Sequence, residues 1–338
     1  MHPDHRIAIY GAGSIGCYVG GRLAATGSDV VFIGRERIGS ELNQHGLTLT
    51  DYLGAELQVP AGKVRFASDV SAAADADLVL VTVKSAATEQ AGRELASVIR
   101  PDTTVVSFQN GIGNADVLGQ HLEGQPVITG MVQFNVIHRG NGAFHQGSEG
   151  TVEAEADPML ATYLDAFERA GLPLEVHEDM RSVQWAKLLL NLNNPVNALS
   201  GVPLKQELSQ RDFRRVLAMA QQEGLDLLQR AGIRPAKLTP LPPHWIPKLL
   251  TVPNWMFRLL ANRMLAIDPL ARSSMWEDLE RGRTTEIDWI NGEIVKLAAE
   301  QGREAPVNAK LIELIRAAEQ GGKRDWTGTK LLAETSKR

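Results

Sequence analysis

At 338 residues, 43% hydrophobic and 22% charged, the chain has the size of two globular domains and enough apolar residues to build a core in each. Its formal net charge of −5 gives no general field to attract nucleic acid or anionic lipid. A single cysteine, Cys17, excludes an intramolecular disulfide and a Cys-rich zinc site, and no metal is expected.

The segment Met1–Arg6 lacks the apolar core of a signal peptide. No stretch reaches ~18 uninterrupted apolar residues. A cytoplasmic protein with no membrane partner is therefore expected. Trp255 to Ala271 is strongly apolar but interrupted by Arg258, Arg263 and Asp268. It reads as a buried or partner-facing helix.

In chain order, Ile7–Tyr10 predicts a strand, followed by a helix through about Ala25 that Gly27 ends. Val30–Ile33 predicts a second strand. Leu78–Val83 predicts a third, continuously apolar as a strand covered on both faces should be. Thr104–Phe108 predicts a fourth and Val127–Gly130 a fifth, with helices between most of them, for example Ala87–Ile99. This rhythm argues for a Rossmann-type α/β domain with a parallel, doubly wound sheet. From Gly140 to Glu155 the pattern suggests an antiparallel hairpin, and Leu174–Val176 a last short strand.

Beyond Asp179 the chain reads as an all-α domain, with helices over about 180–200, 209–232, 243–265, 268–281, 285–302 and 306–319. A domain boundary near 178 gives units of 1–178 and 179–338. The tail after Gly321 is polar and is expected to be loosely held.

Gly11-Ala12-Gly13-Ser14-Ile15-Gly16 fits the dinucleotide fingerprint G-x-G-x-x-G, between a strand and a helix. Gly11 allows the tight turn, Gly13 lets backbone approach a pyrophosphate, and Gly16 lets helix and strand pack closely. The helix start at Ser14 and Ile15 supplies N–H groups and a partial positive charge for phosphate. Past the second strand an NAD enzyme usually places an acid for the ribose 2′-OH. Here Gly34-Arg35 follows, and an arginine suits the 2′-phosphate of NADPH. Glu36 is the competing acid.

Ligands of doubly wound sheets bind beyond the strands' carboxyl ends. Lys84 follows the third strand and Asn110-Gly111 the fourth. Lys84 reads equally as a surface lysine, and Asn110-Gly111 as plain turn chemistry. In the second half, Lys187, Asn191 and Asn194 fall on one helical face at i, i+4 and i+7. Trp185, Leu189, Leu192 and Val196 fall on the other. So narrow a polar stripe suggests a wetted cleft; a snorkelling lysine with capping asparagines explains it as well. Pro195 should kink or end this helix. Thr285 to Asp288 resembles a capping arrangement, in which Glu286 would merely favour the helix dipole.

Taken together and in order, these segments resemble the ketopantoate reductase (2-dehydropantoate 2-reductase) family. The likeness rests on the fingerprint, Lys84, Asn110-Gly111, Lys187 with Asn191, Arg272-Ser273-Ser274-Met275, Thr285-Glu286-Ile287-Asp288 and Asn291-Gly292. It implies NADPH-dependent reduction of a small 2-oxo acid, ketopantoate to pantoate. Lys187 would be the general acid, and Glu286 would orient it. Asn191, Asn194 and Ser274 would bind substrate, with Ser274 near its carboxylate. Asn110 would lie between nicotinamide and substrate, and Lys84 and Arg35 would serve the cofactor. Asn194-Pro195 matches the family's Asn-Pro only across a one-residue gap. Residues 238–270 are longer and more Pro-rich and aromatic than in compact members, a segment that could reshape the pocket or form a homodimer surface. Two alternatives stay open: another 2-oxo acid on the same scaffold, and a non-catalytic NADP-binding redox sensor.

Overall fold

The computed structural model of the protein describes residues 5–260 and 271–337. The chain divides after Met180 into two compact units.

The first unit runs β1 (Arg6–Tyr10), α1 (Ser14–Ala25), β2 (Asp29–Ile33), α2 (Glu36–His45), β3 (Leu47–Asp51), β4 (Glu56–Val59), β5 (Arg65–Ala67), β6 (Leu78–Val81), α3 (Thr88–Ala96) and β7 (Thr104–Ser107). It continues with α4 (Asn114–Gly119), β8 (Val127–Val132), β9 (Val136–Gly140), β10 (Ala143–Gln146), β11 (Val152–Glu155), α5 (Leu164–Arg169) and β12 (Leu174–His177).

The main sheet has the order β12-β11-β8-β7-β6-β1-β2-β5. The six strands from β5 to β8 are parallel. Their side chains alternate between two cores. Ile7, Ile9, Phe32, Leu78 and Leu80 join one core with Cys17, Val19 and Leu23 of α1. Ala8, Val31, Ile33, Val79 and Val81 join the other with Ala91 and Leu95 of α3. Period-2 alternation thus serves two apolar faces, which is why these strands read as unbroken apolar runs.

The sheet is mixed at one edge: β11 runs antiparallel to β8, and β12 is parallel to β11. The anticipated hairpin is β9–β10, two short strands over 136–146, while β11 leaves it for the main sheet. A second, four-stranded sheet, β4-β3-β10-β9, was not foreseen. It packs on α1, and Gly21 admits it, since a Cβ there would lie 2.9 Å from the Leu49 side chain.

The second unit holds α6 (Met180–Asn191), α7 (Asn193–Ser200), α8 (Leu204–Leu208), α9 (Arg211–Arg230), α10 (Ile246–Leu250), α11 (Asn254–Leu260), α12 (Ser274–Glu280), α13 (Asn291–Glu300), α14 (Pro306–Glu319) and α15 (Gly328–Thr335). Among the described residues it has no strand, and no described helix of either unit is long and apolar enough to cross a membrane.

Four expected helices differ. The stretch 180–200 breaks at Leu192, as Pro195 in the first turn of α7 demands. In place of one helix over 243–265, Pro253 separates α10 from α11; its expected continuation past Leu260, with Arg263, lies outside the described residues, as does Asp268 of the helix expected over 268–281, whose described part begins only at Ser274. Within 255–260, Phe257 is buried under the Arg214 guanidinium, 4.1 Å from its ring centre, whereas Trp255, Leu259 and Leu260 are exposed. The helix expected from 285 starts only at Asn291, after a 3-10 turn over Ile287–Trp289.

The tail is not loose. Thr327 caps α15 by accepting from the Lys330 amide, and α15 packs on α9 with Leu331 and Leu332 buried. Leu331→Ala is expected to remove about 2–5 kcal/mol of stability. Urea denaturation reads this directly, and an unchanged midpoint would return the tail to the loose reading.

Candidate active site

The loop after β1 is clamped between its neighbours. The amides of Gly11 and Ala12 both donate to Ile33 O at the end of β2, at 2.9 and 3.0 Å. Thr82 Oγ1, just past β6, donates to Gly11 O at 2.7 Å. Gly11 takes φ +114°, a region that favours glycine, and its missing Cβ would meet the Val83 amide nitrogen at 2.7 Å. Gly16 is required by packing: a Cβ there would fall 2.3 Å from Gly11 O and 2.5 Å from Thr82 Oγ1.

Gly13 is different. It is exposed, its φ of −92° suits any residue, and a Cβ would meet nothing nearer than Gly11 O at 4.0 Å. Nothing among the described residues demands glycine at this position. The open space lies beside the first-turn amides of α1, which no side chain caps. A glycine kept small without an internal reason, next to uncapped amides, fits a pyrophosphate.

Arg35 is exposed at the β2 end and makes no ion pair among the described residues, while Arg37 faces Glu41 at 3.9 Å. Gly34 admits no side chain, because its Cβ would fall 2.7 Å from that of Ala12. The competing acid, Glu36, opens α2, where a carboxylate suits the helix dipole.

Lys84 is exposed past β6, and Asn110 is half-buried past β7. Gly11, Gly13, Ser14, Ile15, Gly16, Arg35, Lys84 and Asn110 therefore all follow the carboxyl ends of β1, β2, β6 and β7. The strand order reverses between β1 and β6, the place where doubly wound sheets bind ligands.

A buried network that the sequence did not reveal holds the Asn110 loop. Ser85 Oγ donates to Asn110 O at 2.8 Å and Asn114 Nδ2 does so at 2.7 Å. Gln109 Nε2 donates to Val83 O at 3.1 Å and to Thr88 Oγ1 at 2.7 Å. These bonds tie the loop after β7 to the loop after β6. Cys17 is fully buried and burial pushes its thiol up, so it serves packing and not thiol chemistry.

In the second unit, α6 carries Lys187 and Asn191. Both are half-buried on a helix whose Val183, Gln184, Trp185, Ala186, Leu188 and Leu189 are buried. Asn194, also half-buried, lies beyond the break, on α7. Ser273 is buried and caps α12, its Oγ accepting from the Trp276 amide at 3.1 Å. Ser274 is exposed as the first residue of that helix.

Of the capping arrangement expected at Thr285 and Asp288 only a part forms: Thr285 Oγ1 accepts from the Ile287 amide at 3.3 Å, with no bond between Thr285 and Asp288. Thr285 donates through N and Oγ1 to Glu319 Oε1, both at 2.8 Å, and Asp288 pairs with Arg316. Glu286 is half-buried at the start of the 3-10 turn. Burial would raise the Glu319 carboxyl, but the Thr285 bonds and Arg316 outweigh it and hold the group low. The Glu286 turn is thereby pinned to α14 through its neighbour.

Residues 7–158 match the family model described as Ketopantoate reductase PanE/ApbA, and residues 179–319 match its C-terminal counterpart. The 2-dehydropantoate 2-reductase of Archaeoglobus fulgidus is 30% identical over 94% of this chain and 98% of its own length. That of Pyrococcus horikoshii is 31% identical over the same shares. Among solved structures, a PanE/ApbA family ketopantoate reductase from Ralstonia eutropha JMP134 superposes with a TM-score of 0.80, at 30% identity over 94% of this chain and 99% of that one. A D-mandelate dehydrogenase with NADH and anilino(oxo)acetate shares the fold at a TM-score of 0.77 and 23% identity, over 94% of this chain and 99% of that one.

Proposed function

The chain belongs to the ketopantoate reductase family and is an oxidoreductase, and from that premise we propose that it reduces 2-dehydropantoate to pantoate with NADPH, using Lys187 as the general acid. The observation that carries the proposal is the pair Lys187 and Asn191, half-buried on a helix whose residues 183–186, 188 and 189 are buried. A lysine so placed needs a polar reason to be there.

When bound, the reduced nicotinamide supplies the hydride. Gly13 and the amides of Ser14 and Ile15 would hold the pyrophosphate, Arg35 the 2′-phosphate, and Lys84 and Asn110 the remaining polar groups of the cofactor. Hydride arrival at the 2-oxo carbon places negative charge on its oxygen. The Lys187 ammonium would stabilise that charge and release one proton to the oxygen, giving the alcohol. Solvent would then return a proton to the amine. Asn191, Asn194 and Ser274 would orient the acid, with Ser274 at its carboxylate, and Glu286 would hold the lysine.

The test is the absorbance of NADPH with ketopantoate, with NADH and a panel of aliphatic and aromatic 2-oxo acids alongside. Fast NADPH oxidation with ketopantoate is expected. Turnover only on another 2-oxo acid would replace the substrate and keep the chemistry. Tight NADPH binding without turnover on any of them would indicate a redox sensor.

Removing Arg35 should separate the cofactors. Arg35→Ala is expected to raise KM for NADPH roughly tenfold, the lower end for a charge-assisted bond because the side chain is exposed. KM for NADH should hardly move. Equal changes for both would leave the 2′-phosphate without its reader.

A further inference from the structure

Glu207 lies on α8 beside the polar residues Lys205 and Gln206, yet it is fully buried. Its Oε2 accepts from Asn197 Nδ2 at 2.9 Å and from Asn193 Nδ2 at 3.4 Å. Oε1 has no hydrogen-bond partner among the described residues. A buried carboxyl with so few partners is expensive to keep, which raises the question of what it holds.

Its bonds lead to two elements. Asn197, itself fully buried, turns its Nδ2 toward Glu207 and Val202 O, which leaves Oδ1 to accept from the Ser273 amide at 2.9 Å. Ser273 Oγ donates to Asn194 O at 3.2 Å and also caps α12. Ser274 is the next residue. On the other side, Asn193 precedes Asn194. One carboxyl therefore fixes the starts of α7 and α12, the positions from which Asn194 and Ser274 project.

We propose that Glu207 is a positioning residue for the 2-oxo acid: it sets the Asn197 amide so that Ser273 and the head of α12 present Ser274 in register with Asn194. The inference rests on the substrate roles given above to Asn194 and Ser274. Burial pushes the Glu207 carboxyl up to about 8, with Asn197 and Asn193 opposing the shift. The group is then largely neutral at pH 7, and glutamine is its closest mimic.

The experiment compares Glu207→Met and Glu207→Gln in steady-state assays of the whole enzyme. Methionine keeps the volume and removes the acceptor, whereas glutamine keeps an acceptor for Asn197. Glu207→Met is expected to raise KM for the 2-oxo acid roughly tenfold or more, with KM for NADPH unchanged and kcat moved far less. Glu207→Gln should recover most of that loss. In a Ser274→Ala background, Glu207→Met should add little, because the two changes act through one contact. If Glu207→Met does not fold, Asn197→Ser cuts the same link and should raise the same KM. An unchanged KM for the 2-oxo acid, an equal loss in every constant, or no recovery with glutamine would overturn the inference while a working parent enzyme keeps the proposed reaction. A parent that turns over no 2-oxo acid would remove the reaction and this role together.

Discussion

Lys187→Ala is expected to lower kcat by roughly 10²–10⁴, the usual contribution of a positioned general acid, while the dissociation constant for NADPH stays within about twofold. The separation follows from placement. Lys187 sits on α6 in the second unit, and the residues assigned to the cofactor follow strands of the first. Trp185, Leu188 and Leu189 fix the helix by burial, so truncating the half-buried lysine leaves its packing in place. NADPH fluorescence titration and kcat on the best 2-oxo acid read the two quantities apart. Lys187→Arg should not restore turnover, because a guanidinium keeps the charge but does not release its proton near neutral pH. A kcat within threefold of the parent for Lys187→Ala would end the assignment. Loss of NADPH binding would move Lys187 to the cofactor side.

The sequence disclosed what is local. Leu78–Val81 reads as a strand because it is buried on both faces, and the glycine fingerprint carries its turn, its close approach and its helix within six residues. The Lys187–Asn191 stripe is likewise an i, i+4 relation, and Pro195 announces the break at Leu192. Non-local pairing stayed hidden. Leu47-Thr48-Leu49-Thr50 alternates like any short amphipathic strand; one partner, Glu56–Val59, follows closely, but the other, Ala143–Gln146, which joins it to the second sheet, lies far along the chain. Glu207 carried no local signal, because its bonds run to Asn197 and, through it, to Ser273. At the C-terminus, the polar run Gly321–Asp325 drew attention from a readable signal, Thr327 followed by Leu331 and Leu332. At Thr285 a local motif misled. Glu319 took the Thr285 amide that an Asp288 carboxylate would have held, a choice that only the packing of α14 could make.

The fingerprint glycines should respond to substitution in opposite ways, and the contrast bears on whether the loop exists to hold a ligand. Gly16→Ala places a methyl 2.3 Å from the Gly11 carbonyl oxygen and 2.8 Å from Ile9 Cγ2. Neither the clamped loop nor the β1 strand can give way cheaply, so a loss of about 3 kcal/mol or more is expected, at or above the upper end for overpacking. Gly13→Ala meets no such neighbour and needs no unusual φ. Its stability should stay level or rise by up to about 1 kcal/mol, since alanine narrows the unfolded chain. Its cofactor affinity should nevertheless fall, by roughly 10–100-fold, and Gly13→Val should lose more. The added carbon takes the space beside the α1 amides where a pyrophosphate oxygen would approach. Denaturation curves and NADPH titrations on the same preparations give both quantities. A Gly13→Val protein that binds NADPH at the parent affinity would mean that the pyrophosphate lies elsewhere. A weakly binding but undiminished fold would mean that the protein keeps Gly13 for its ligand and Gly16 for itself.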